Sequence, residues 1–145
     1  MDRRERTRTL VEAGPQLVGV LANKVELSFD VHVVKEPVQE LVMLKAREGA
    51  QRSLFYLGEA LMTTCTVRIE NAYGHGMLLG EQNGYARALA IVDAAYALDA
   101  TWCAQRGFDE RIEREAERLA QERRREQELL LGTRVDFSTM EVGRG

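Results

Sequence analysis

The apolar residues of this chain change their period twice, and that change limits the fold more than any other feature. Leu10, Val11, Leu17, Val18, Val20 and Leu21 recur at helical spacing around Gly14-Pro15. From Phe29 to Leu79 the apolar positions alternate, or gather in β-branched stretches, and from Tyr85 to Leu98 helical spacing returns. The segment order is helices, then strands, then helices, without the regular strand-helix alternation of a parallel sheet, so the expected class is α+β.

Within that frame the boundaries follow from turn chemistry. Pro15 is tolerated in the first turn of a helix and breaks an interior, so two short N-terminal helices are expected, the second ending near Asn23. Phe29, Val31 and Val33 alternate with Asp30, His32 and Val34. Glu36-Pro37 then turns the chain into a second strand over Glu40 to Arg47. After Glu48-Gly49-Ala50, Ser53 to Tyr56 reads as extended, Gly58 interrupts, and Leu61 to Ile69 is a β-branched strand. A turn over Asn71 to Gly76 and the strand Met77 to Leu79 complete a mainly antiparallel sheet of about four or five strands.

Two longer C-terminal helices are expected to follow. The first, from Asn83, leaves little more than Arg87 and Asp93 for a polar side, so it packs on the sheet and receives another element. The second, from Asp109, has a short stripe of Ile112, Ala116, Leu119 and Ala120 that lapses at Arg123. Pairs four residues apart, such as Arg118 with Glu122, stiffen it as an exposed arm over 109–132. Gly132 suits a helix stop. The eight residues Thr133 to Met140 then alternate Val135, Phe137 and Thr139 with Arg134, Asp136, Ser138 and Met140, the pattern of an added strand. Burying three apolar side chains does not offset the entropy of ordering eight residues. An extended docking tail over 133–140 therefore needs backbone pairing and a groove, on its own sheet or on another protein.

With 145 residues, the chain is expected to form a single domain over 1–145. Its formal charge of -3 gives no basic field for a phosphate backbone, which argues against nucleic acid as a partner but leaves local binding of a small anion open. No apolar run is long enough for a transmembrane helix, so no membrane contact is expected. Cys65 and Cys103 have no close partner in sequence, and the charged Met1 to Arg8 is not followed by a signal-peptide apolar run. The expected location is the cytoplasm.

Catalytic signatures are missing from the pattern. There is no GxSxG, and Ser28, Ser53 and Ser138 have no neighbouring histidine. His32 and His75 belong to no metal-ligand spacing, so no metal site is expected. Gly74, Gly76, Gly80 and Gly84 invite a phosphate-loop reading, but Leu79 stands where GxGxxG needs glycine, and a hairpin turn explains the glycines better. Arg47, Arg52 and Arg68, with His75, are candidate substrate-binding residues, because guanidinium groups match oxyanions with paired donors. Glu59 and Thr63 stand near them on the central strands. From the residues alone, this is an α+β interaction module with no assigned catalytic residue.

Three ordered motifs carry a resemblance. The closing Thr133-Arg134-Val135-Asp136-Phe137-Ser138-Thr139-Met140 is similar to a terminal Ser/Thr-Arg-Val-Asp-Phe-x-Thr-Met signature. Arg52, Phe55, Gly58, Glu59 and Thr63 match an aromatic-ended strand followed by a glycine, an acidic residue and a threonine. A third match runs from Gly80 through Ala86, Ala90, Asp93 and Ala94. On these residues the chain resembles PhnG, the G subunit of the bacterial carbon-phosphorus lyase system. Met1 to Asn23 matches only in helical character.

The resemblance implies a subunit acting with the H and I subunits, and with the ATPase-like L subunit. Together they convert ATP and an alkylphosphonate to a ribose 1-phosphonate 5-triphosphate, displacing adenine from ribose C1; the J subunit later breaks the C-P bond. It implies a core assembly of G with H, I and J, with the I subunit as the bearer of displacement chemistry. It gives G no established nucleophile and no bound cofactor, ATP being a substrate of the complex. The chain is then expected to be an accessory subunit and scaffold for the I-like subunit, with Arg134, Val135, Asp136, Phe137, Thr139 and Met140 as partner-binding residues. Two alternatives stand beside this: direct binding of triphosphate or phosphonate by the arginines, and a self-associating structural protein, a homo-oligomer when isolated.

Overall fold

The computed structural model describes the backbone of residues 1–47 and 54–144 and the side chains of 1–46 and 54–132. Helix α1 (Arg3–Ala13) begins where the Asp2 carboxylate accepts the Glu5 amide at 2.8 Å, and α2 (Pro15–Ser28) begins at the expected proline. The second helix runs five residues beyond the expected end at Asn23. Val25 continues the stripe of Val18, Leu21 and Ala22, all of them buried, so packing carries the helix on to Ser28.

Among the described residues the sheet has three antiparallel strands, β1 (Val31–Arg47), β2 (Leu54–Ile69) and β3 (Ala72–Leu79), in the order β1-β2-β3. That corrects the expected four or five. Glu36-Pro37 does not turn the chain. β1 is an edge strand, where a residue without an amide hydrogen is tolerated, and register shifts between Val33 and Val38 absorb the irregularity. Likewise Gly58 does not end a strand. It adopts φ +143° beside a bulge between Leu44 and Lys45, a backbone conformation open to glycine.

The turn between β2 and β3 is also shorter than expected, since Ile69 pairs with Ala72 and leaves only Glu70 and Asn71 between the strands. Gly74 and Gly76 are consequently in the middle of β3, not in a loop. There they let the strand meet α3 (Asn83–Leu98) almost backbone to backbone. A Cβ built on Gly74 would lie 2.0 Å from the Ala90 carbonyl oxygen, and one on Gly76 would lie 2.0 Å from that of Ala86. Ala86, Ala90 and Ala94 repeat every four residues on the helix face that the glycines meet. The rest of α3 packs on α2, which is the further element its all-round apolar character predicts.

A short helix, α4 (Ala100–Gln105), is additional to the two expected C-terminal helices, and Asp99 caps it by accepting the Trp102 amide at 3.0 Å. Trp102 meets the rings of Phe29 and Phe108 edge-on, with centroids 4.9 and 5.7 Å away. This aromatic cluster and buried Ile112 anchor the start of α5 (Phe108–Arg144). The expected Arg118–Glu122 pair forms at 2.5 Å, and Arg123 reaches Glu12 of α1 at 2.7 Å. The expected stop at Gly132 and extended tail do not appear: the backbone of α5 stays helical to Arg144. An internal glycine costs a helix only about 1 kcal/mol, and no proline follows. The partner-binding side chains expected at Arg134, Val135, Asp136, Phe137, Thr139 and Met140 lie outside the described residues.

Candidate functional site

Asp93 sits on the otherwise apolar α3 with 7% of its surface exposed, so its charge requires partners. The N-terminal helix supplies them. Arg3 donates from Nε to Oδ1 at 2.9 Å and from Nη2 to Oδ2 at 2.8 Å, a two-pronged fork. Arg6 places Nη2 3.6 Å from Oδ1 and stacks its guanidinium 3.9 Å from the centre of the Tyr96 ring. The backbone amide of His75, on the free edge of β3, donates to Oδ2 at 2.9 Å. One carboxylate thus joins α1, β3 and α3 and occupies an edge amide that another strand would otherwise use. The hydrogen bond with Asp93 raises the Arg3 guanidinium above its usual range.

Beside this cluster is a cleft of about 540 Å³ lined by Arg3, Arg4, Thr7, Arg8, His75, Met77 and Asp93. The imidazole of His75 is exposed, with Nδ1 3.1 Å from the Thr66 hydroxyl. Arg8 donates from Nε to Glu12 at 3.1 Å. Glu12 is held below the usual carboxylate range by Arg8 first and by Arg123 as well.

A second polar knot fixes the start of α3. The fully buried Thr63 hydroxyl donates to the Gly80 carbonyl at 2.5 Å and accepts the Gln82 amide at 2.9 Å and the Gln39 side chain at 3.1 Å. Gln39 also donates to Asn83 Oδ1 at 2.6 Å, so Asn83 serves β1 and does not cap the helix. Tyr85 completes the join by donating to the carbonyls of Leu10 and Val11 at 2.5 and 2.9 Å, at the end of α1.

Beyond this knot the sheet narrows. β3 pairs with β2 only as far as Met62, so residues 54–61 continue with β1 alone as a two-stranded ribbon about 25 Å long. Leu41, Met43, Leu44, Phe55, Leu57 and Leu61 are all exposed on it, with Leu41 at 67% and Leu57 at 59%. Leu41 and Leu61 are paired across one face, while Leu44 pairs with Gly58. A ribbon of two strands with uncovered apolar side chains is marginal by itself in water.

Of the candidate substrate-binding residues, Arg68 and His75 are diagonal neighbours on one face of β2 and β3, since Thr66 pairs with His75 and Arg68 with Tyr73, and the backbone of Arg47 is remote from both. Arg47 pairs with Leu54 at the ribbon's far end, whereas Arg68 lies fourteen residues further along β2, about 45 Å away. The Arg68 guanidinium donates to the Glu70 carbonyl at 2.8 Å and steadies the β2–β3 turn. The side chain of Arg47 and all of Arg52 lie outside the described residues. Glu59 is exposed on the ribbon, opposite Met43. His75 does enter a cationic cleft, with α1 arginines that sequence reading passes over because they precede it by about seventy residues. Asp93 was the available signal, as a lone carboxylate on an apolar helix face.

Both cysteines are buried: burial pushes the Cys103 thiol up to about 12 and raises that of Cys65, so neither is a thiolate nucleophile near neutral pH. Burial, and then its hydrogen bond to Asp109, also raise the Tyr96 phenol. Among the described residues no group of three His, Cys, Asp or Glu side chains could hold a metal ion, and no helix is long and apolar enough to cross a membrane.

The model of the family described as phosphonate metabolism protein PhnG matches residues 1–145. The chain belongs to the PhnG family. It is also 35% identical over 142 residues to the alpha-D-ribose 1-methylphosphonate 5-triphosphate synthase subunit PhnG of Rhizobium meliloti (strain 1021), covering 97% of this chain and 89% of that protein. PhnG membership makes this chain a subunit in phosphonate metabolism, one part of a multi-subunit assembly. Several residues of the motifs that carried the resemblance have structural tasks: Gly58 forms the bulge, Thr63 ties the α3 entrance, Ala86 and Ala90 admit the β3 glycines, and Asp93 gathers the arginines.

Proposed function

We propose that this PhnG chain is a non-catalytic scaffold of a complex that transfers an alkylphosphonate to ribose C1 of ATP with displacement of adenine. Its chief partner is the I-like subunit, in a cytoplasmic assembly with H-like and J-like subunits and, for the transfer step, an L-like protein. The observation that carries this reading is the apolar β1–β2 ribbon, which leaves Leu41, Leu44, Phe55, Leu57 and Leu61 uncovered side by side, the kind of exposed apolar surface that marks an interaction site. Covering such a surface with a partner's groove is how permanent assemblies gain most of their stability. We assign the C-terminal residues Arg134, Val135, Asp136, Phe137, Thr139 and Met140 to the same partner as a second attachment.

Co-expression tests this assignment. The full chain is expected to co-purify with the I-like subunit, and a chain truncated after Gly132 is expected to do so at least about tenfold less well, the loss of one or two buried anchors. Equal recovery would remove the terminal segment from the account. Adenine release at an undiminished rate by H-, I- and L-like proteins without this chain would overturn the scaffold assignment itself.

A further inference from the structure

Helix α1 opens with Arg3 and Arg4 between two acids that suit the positive end of the helix dipole, the Asp2 cap and Glu5. Arg3 is accounted for by Asp93. Arg4 has no hydrogen bond or ion pair among the described residues, yet it lines the same cleft as Arg3, Arg8 and His75. Arg4 and Arg8 are four residues apart, so they stand one turn above the other on a single helix face. The three guanidinium groups lining the cleft oppose one lining carboxylate, a local charge of +2 on a chain whose formal charge is -3. That carboxylate is already saturated by Arg3, Arg6 and the His75 amide, so it orients the arginines without occupying their remaining donors. Arg3 keeps Nη1, Arg8 keeps both Nη groups, and His75 keeps Nε2, all beside the Thr7 hydroxyl in a space of about 540 Å³.

We propose that this cleft between α1, β3 and α3 is a binding site for a small oxyanion carrying several charges, of the phosphoryl class. Cationic groups stacked one helical turn apart, with a hydroxyl and an imidazole between them, offer more donors than a single carboxylate can use and suit linked phosphoryl groups. The site is independent of the ribbon and of the scaffold assignment.

The test is titration of the full chain with pyrophosphate at low ionic strength, by calorimetry and by the NMR shift of the His75 ring. Saturable binding below about 1 mM is expected, with movement of the His75 resonance and weakening as salt is added. Orthophosphate should bind more weakly. The double variant Arg4→Ala/Arg8→Ala, which leaves the Arg3–Asp93 fork intact, should lower the affinity at least about tenfold. Lys45→Ala, towards the far end of the ribbon and ten residues along β2 from the position opposite His75, should not change it. Absence of saturable binding by the folded wild-type chain would overturn the proposal. So would an affinity unchanged in the double variant, or equally tight binding of an acidic peptide that competes with pyrophosphate.

Discussion

Replacing Gly76 or Gly74 with alanine is expected to destabilise the chain by about 3 kcal/mol in each case, the upper part of the range for overpacking. The added methyl would meet main chain, not the end of a mobile side chain: the Ala86 carbonyl oxygen at 2.0 Å for Gly76, and the Ala90 carbonyl oxygen at 2.0 Å with the Ala94 amide nitrogen at 2.4 Å for Gly74. Relief requires β3 to separate from α3, which uncovers Leu78 and the buried face of the helix. Thermal unfolding followed by circular dichroism should fall by about 10 °C, as expected for a domain of this size. Gly19→Ala is the control. Its Cβ meets nothing within 4 Å in the middle of α2, so it should be neutral or stabilising by up to about 1 kcal/mol. Equal effects at Gly19 and Gly76 would contradict the close-approach account.

Asp93→Ala is expected to lose about 3 to 4 kcal/mol in urea unfolding, within the range for breaking an ion pair by removing one partner. The main term is not the Arg3 fork, since the Arg3 side chain is 65% exposed and regains water. Arg6 is different. Its side chain is only 12% exposed and its other close neighbour is the face of Tyr96, so loss of Asp93 leaves a charge with little solvation. The His75 edge amide loses its acceptor as well. Arg3→Ala should therefore cost about 1 kcal/mol or less, and Arg6→Ala should couple strongly to Asp93→Ala in a double-mutant cycle. Independent, additive effects of the two would contradict this division.

The class of fold was legible because periodicity is a local property. Helical spacing before Ser28 and after Asn83, with alternation between them, needs no tertiary information. The strand count was less legible for an equally physical reason. Pro37 and Gly58 are strong breakers in isolation, but an edge position and a bulge let each stay inside a continuous strand. Gly74 and Gly76 look like turn residues in sequence because the reason for them, the main chain of α3, lies ten to twenty residues away. Lys24 to Ser28 remain helical because Val25 is buried in the core. The cleft was the least legible feature. Nothing local links Arg3 and Arg4 to His75, and only the carboxylate on an apolar helix signalled that cations must arrive from elsewhere. Family resemblance identified Thr63 and Asp93 as positions within motifs; the structure supplied their tasks.

The scaffold assignment rests on the ribbon, and a direct measurement of its role is the affinity of the I-like subunit for a chain carrying Leu41→Ser, Leu44→Ser, Phe55→Ser and Leu57→Ser. These side chains are exposed, so the isolated variant should fold with nearly unchanged stability. If the ribbon is the interface, association should weaken by at least about 100-fold, the loss of two or more buried anchors. An I-like subunit that binds this folded variant as tightly as it binds the wild-type chain would contradict the account.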